Sequence, residues 1–216
     1  MRPELEELLR ADRRIWRGHG GNGRFPVLAT GFAELDRILP GGGWPLSAIT
    51  EIRVSDWGIG ELRLLLPAMC ALVRQGRWLV WIAPPFQPYA PALCQNGLDL
   101  RRVLIVRPRD ADADLWWSME KLLRHPSAGL VMAWPSRIHA ARVRRVQLAA
   151  EDGGTMGVLF HRERSDSTPA ALRMALDPDR DGALLVRLLK ARGGFGGAAA
   201  TVPLLGKGID QADRMV

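Results

Sequence analysis

Residues 48–74 constrain this chain more than any others. The apolar run from Ala48 to Val54 reads as a strand, the stretch from Leu62 to Arg74 reads as a helix, and the link between them is S-D-W-G-I-G-E-L. A glycine-bearing loop between a strand and a helix is the setting of the phosphate-binding pattern G-x-x-x-x-G-K-[ST]. There the loop N–H groups and the Lys hold phosphate while the hydroxyl holds Mg²⁺. Gly60 remains, but Glu61 stands at the Lys position and Leu62 at the Ser/Thr position. A carboxylate repels triphosphate, and Leu offers no metal ligand. Ser55, Asp56, Trp57, Gly58, Gly60, Glu61 and Leu62 thus read as a degenerate nucleotide site. Trp57 in this loop either fills the emptied phosphate pocket or projects as an anchor for a partner. No catalysis, no cofactor and no metal are expected, and the chain points toward protein–protein contact.

The rest of the chain repeats the strand–helix alternation. Apolar strand-like runs occur at 77–83, 103–106, 130–134 and 156–160, with helical patterns at 90–97, 112–123 and 140–150 between them. Such alternation predicts an α/β fold with a mostly parallel central sheet flanked by helices. Further on, 171–176 and 183–191 flank P-D-R-D-G, a hairpin turn. Ahead of this core, 2–17 predicts an amphipathic helix with Leu5, Leu8, Leu9, Ile15 and Trp16 on one stripe. The glycine-rich stretch that follows tethers it as an arm. The expected organisation is an arm over 1–17, a linker over 18–26, a core over 27–205 and a polar tail over 206–216.

Composition excludes some classes. No stretch is long and apolar enough to span a membrane. The acidic start M-R-P-E-L-E-E is unlike a signal peptide, so a cytoplasmic protein is expected. Cys70 and Cys94 form neither a disulfide framework nor a metal-ligand pattern, and the four His are scattered. Net charge is +7, carried almost wholly by Arg. Arg137, Arg142, Arg144 and Arg145 make a basic ridge, which reads as a solvated face or as a surface for weak, non-specific contact with DNA.

The run T-G-F-A-E-L-D-R-I-L-P-G-G-G-W-P-L-S-A-I-T-E-I (30–52), with N-G-L-D-L (96–100) and A-L-L-V-R-L-L-K-A-R (183–192), resembles RecA over about residues 27–205. I-W-R-G (15–18), P-x-L-x-T-G-F (26–32), L-P-G-G-G-W-P (39–45) and L-L-K-A-R-G-G (188–194) place the chain closest to the ImuA family, RecA-like proteins often described as SulA-like. The resemblance implies a RecA-like core in which further ATPase positions are lost. Pro85 falls where the catalytic Glu belongs and Trp134 where the Walker B Asp belongs. The segments matching RecA's DNA loops shrink to 135–139 and 161–169.

For function, the resemblance implies a non-catalytic accessory protein of SOS-induced, mutagenic translesion DNA synthesis, made in response to DNA damage. Its implied partners are an ImuB-like polymerase-related protein and, indirectly, an error-prone DnaE-type polymerase, with RecA a further candidate. The alternative is a SulA-type cell-division inhibitor that binds FtsZ. Partner contacts are expected at Leu5, Leu8, Leu9, Ile15 and Trp16 of the arm. Val202, Leu204 and Leu205 are expected to supply others, in a C-terminal segment that orders on binding.

Overall fold

The computed structural model describes residues 26–110, 112–163, 167–192 and 196–204. In chain order the elements are β1 (Val27–Leu28), α1 (Ala33–Ile38), β2 (Trp44–Pro45), β3 (Ile49–Val54) and α2 (Glu61–Arg74). They continue with β4 (Trp78–Ile82), α3 (Ala90–Gln95), β5 (Val103–Val106), α4 (Ala113–Leu123) and β6 (Ala128–Ala133). The last are α5 (Ala140–Gly153), β7 (Met156–His161), β8 (Leu172–Pro178), β9 (Ala183–Ala191) and β10 (Ala199–Pro203).

Strands β3 to β10 form one eight-stranded sheet in the order β10-β9-β8-β3-β7-β6-β4-β5. From β8 to β5 every neighbouring pair is parallel, and β9 and β10 add antiparallel pairings at one side. The continuous apolar runs are explained by position. β6 and β7 lie inside the sheet with helices over both faces, and every residue of each is buried. β5, at the edge, is only half-buried.

Side-chain alternation divides the core into two layers. Ile52, Leu79, Trp81, Met132, Val158 and Phe160 pack with Leu64, Leu65 and Met69 of α2. Ile49, Val80, Val131 and Leu159 pack on the opposite face with Leu115 and Met119 of α4 and Val143 and Val146 of α5. Gln147 ties α5 to the sheet, because its side-chain oxygen accepts the buried N–H of Ile49 at 2.9 Å. Gly154, at φ +65°, ends α5 in the left-handed conformation that suits glycine.

The expected α/β architecture and mostly parallel sheet are present. The P-D-R-D-G turn joins β8 and β9 as an antiparallel pair. Three strands are additions to the expectation. β1 pairs with β2 as a separate ribbon, and β10 extends the sheet beyond β9. The arm and the polar tail lie outside the described residues, as does nearly all of the linker.

Candidate functional site

The loop of residues 55–60 leaves the C-terminal end of β3, which sits between β7 and β8 in the sheet. The C-terminal ends of parallel strands are where such folds build ligand crevices. The loop needs left-handed backbone twice, at Gly58 (φ +84°) and Gly60 (φ +115°). Side-chain volume also matters at Gly60, where a Cβ would come within 2.2 Å of Leu204 Cδ1. The first residue of α2 then reverses the usual polarity of such a loop. Glu61 is buried, with 6% of its surface exposed. Its two carboxylate oxygens accept the N–H of Gly58 at 3.0 Å and of Gly60 at 3.1 Å. An internal carboxylate thus holds two backbone N–H groups of the loop. Leu62 is half-buried against the core, as is Trp57. Ser55 and Asp56 are exposed, with Asp56 3.6 Å from Arg162.

An aromatic cluster occupies the same end of the sheet. Trp134, just past β6, stacks on Phe160 of β7 with ring centroids 5.0 Å apart, and lies 6.4 Å from Trp81 of β4. All three are buried. Trp134 is a core residue where the resemblance calls for an acid. Pro85 lies exposed beyond β4.

A second feature was not anticipated from the sequence. Glu51, in the middle of β3, is 2% exposed. It accepts hydrogen bonds from Thr168 Oγ1 and from Arg173 Nε of β8 at 3.0 Å, and meets His161 Nε2 of β7 at 3.1 Å. Lys190 of β9 donates to the Thr168 carbonyl at 2.7 Å. Burial alone would raise the Glu51 pKa. The hydrogen bonds from His161 and Thr168 and the charge of Arg173 outweigh it and hold the carboxyl at about 2. The signal was there to read: a Glu in a strand at the centre of the sheet must find partners.

The other expected contact residues separate. Val202 is fully buried in β10, so it is a core residue rather than the exposed anchor expected. It becomes one because the segment 199–203 pairs with β9 within the chain. Leu204 packs over Gly60. Leu5, Leu8, Leu9, Ile15, Trp16 and Leu205 lie outside the described residues. The Arg ridge is not uniform. Arg145 is held by Glu120 at 2.6 Å. Arg137 and Arg144 are exposed and Arg142 is half-buried, and none of these three has an ion-pair partner among the described residues. Among the described residues no three potential metal ligands gather, and no helix is long and apolar enough to cross a membrane.

Known proteins align with this frame. The family model for the cell division inhibitor SulA matches residues 47–157. Protein ImuA of Caulobacter vibrioides (strain NA1000 / CB15N) is 30% identical over 142 residues, 63% of this chain and 58% of its own length. The cell division inhibitor SulA of Edwardsiella piscicida is 30% identical over 123 residues, 55% of this chain and 73% of that protein. SulA of Serratia marcescens is 27% identical over 119 residues, 55% of this chain and 70% of that protein. The chain thus spans 58% of the length of the Caulobacter ImuA that it matches.

Proposed function

The chain belongs to the SulA family and is ImuA-like within it, and on that footing we propose that it is a non-catalytic accessory protein of damage-induced, mutagenic DNA synthesis. Its fold is read as a RecA-like core whose degenerate phosphate loop no longer takes nucleotide. It acts in the cytoplasm through protein contacts, with an ImuB-like polymerase-related protein as first partner. A DnaE-type polymerase is reached indirectly, and RecA is a further candidate. The observation that carries this reading is the Glu61 carboxylate on the N–H groups of Gly58 and Gly60. The buried Trp134, stacked on Phe160, supports it, since it sets an apolar ring at a position where the resemblance to an ATPase calls for an acid.

The SulA match over 47–157 favours a second reading, a cell-division inhibitor directed at FtsZ. Strands β8 to β10 lie beyond that match. Co-purification separates the two. The full-length chain, a chain without residues 1–17 and a chain without residues 205–216 are each mixed with the ImuB-like protein, with RecA and with FtsZ. Retention of the ImuB-like protein by the full-length chain, weakened by at least one truncation, is the expected result. Retention of FtsZ alone favours the second reading. Undiminished binding by both truncated chains moves the contact to the core.

A further inference from the structure

Strand β5 is the last strand of the sheet and pairs with β4 alone. The Val106 carbonyl accepts the N–H of Ala83 at 2.9 Å. Each residue of a parallel strand turns its N–H and carbonyl to the same side, and successive residues alternate. Val106 and Leu104 therefore face β4, while Val103 and Ile105 face outward. The Val103 N–H is taken by the Leu100 carbonyl. The Val103 carbonyl and both backbone groups of Ile105 have no partner among the described residues. The side chains V-L-I-V put no charge on this edge. Leu104 lies opposite Val80 of β4 but is 45% exposed, beyond the cover that α4 gives Val80. An open row of donors and acceptors beside an exposed apolar side chain is a template for strand addition.

Arginines bracket this edge. Arg102, just before β5, donates to the Gly76 carbonyl at 2.9 Å, and Arg107, just after it, donates to Gln87 Oε1. Neither has an ion-pair partner among the described residues. The nearby acids are engaged. Asp99 holds Arg101 at 2.9 Å, and Asp110 accepts the N–H groups of Asp112 and Ala113. Arg102 and Arg107 stand about 17 Å apart at the rise of a strand. A second copy of the chain does not suit the edge, because in either direction it lays Arg over Arg. A phosphate backbone uses the charge but leaves the carbonyls of Val103 and Ile105 and the Leu104 side chain uncovered.

We propose that the outer edge of β5 takes an extended segment of a partner protein as a further strand of the sheet. Four β-branched residues lie along Val103–Val106, with an Asp or Glu at each end against Arg102 and Arg107. Backbone pairing supplies the affinity. The two arginines set the register, since a slip along the strand leaves one of them without its acid. That the partner is a protein rests on the accessory role proposed above, and this edge adds a contact to those expected at the termini. The edge is tested without any natural partner, so this contact and the accessory role fail separately.

The probe is the peptide acetyl-E-D-V-T-V-I-E-D-amide, added to the ¹⁵N-labelled full-length chain. Saturable amide shifts centred on residues 103–107 are expected, with hydrogen exchange at the Ile105 N–H slowed about tenfold at saturation. A copy of the peptide N-methylated at its four central residues keeps the charges, loses the donors and gives no such shifts. Arg102→Glu with Arg107→Glu lowers the affinity about tenfold, as for loss of two exposed ion pairs, and a copy with Lys in place of its acids binds that variant instead. Absence of shifts at 103–107 with millimolar peptide overturns the proposal. So does equal binding of the N-methylated copy, which leaves charge alone as the cause. Stronger shifts of the same amides by a single-stranded oligothymidylate assign the edge to nucleic acid, and a dimer in sedimentation whose interface protects Ile105 assigns it to a second copy. Either of these overturns the proposal as well.

Discussion

The Glu61 carboxylate turns back from the first turn of α2 and accepts the N–H of Gly58 at 3.0 Å. Its other oxygen takes the N–H of Gly60. The N–H groups that this loop would offer to an external anion are therefore taken by a carboxylate covalently attached to it, at an effective concentration that free phosphate does not match.

The first prediction follows from this contact. Calorimetry with Mg-ATP gives no binding isotherm for the native chain, and a micromolar affinity contradicts the proposal. Glu61→Ala leaves two N–H groups without their charged acceptor and lowers stability by about 1–3 kcal/mol. Glu61→Lys with Leu62→Thr does not produce hydrolysis, because Pro85 and Trp134 still supply no acid.

Gly60 and Leu204 give a second prediction. Gly60→Ala meets both a left-handed φ of +115° and the Leu204 methyl group. Destabilisation by about 1–3 kcal/mol is expected in urea unfolding. Leu204→Ala in the same background recovers the steric part and leaves the backbone part, so a double-mutant cycle shows favourable coupling. Strict additivity would show that the two residues do not meet.

Glu51 makes stability depend on acid. Its folded pKa of about 2 lies below the ordinary 4.5, so the folded state favours the ionised form. That contribution is fully present above pH 4.5 and is lost as the pH falls from there toward 2. Linkage makes it of order 3 kcal/mol. Urea midpoints measured across this range fall for the native chain. Glu51→Gln flattens the dependence and costs about 3 kcal/mol at neutral pH, because the buried carboxylate's ionic contacts to Arg173 and its hydrogen bonds to His161 and Thr168 are lost or weakened. A variant with the native pH profile refutes the assignment.

Contact with DNA, where it occurs, is electrostatic. Fluorescence anisotropy should show weak, sequence-independent binding whose log affinity falls with log salt by about 0.9 per phosphate contacted. Arg144→Ala weakens it more than Arg145→Ala, because Arg145 already spends its charge on Glu120. Tight binding that survives high salt points to a specific site elsewhere.

Local chemistry was legible where it is written in consecutive residues. The Gly-bearing loop, the misplaced Glu61 and Leu62, the buried strand runs and the P-D-R-D-G turn all depend on neighbours in the chain. Trp134 could be recognised as not an acid, but its stacking on Phe160 joins residues 26 positions apart on adjacent strands. Val202 was misread because an apolar residue in a short segment looks alike whether it awaits a partner or pairs with β9.

By itself the sequence determined the α/β class, the order of its elements and the absence of the Lys and hydroxyl that a phosphate loop needs. Those follow from side-chain period and residue type, which are local quantities. Tertiary structure alone decided which strands are neighbours, where the Glu61 oxygens point, how Glu51 gathers His161, Thr168 and Arg173, and that Leu204 closes over Gly60. Apart from the Glu61 contacts, which are local, each of these joins residues far apart in the chain, set by where the pleated sheet and its two helical layers bring distant side chains together. Their energies appear only once burial has removed the competing water.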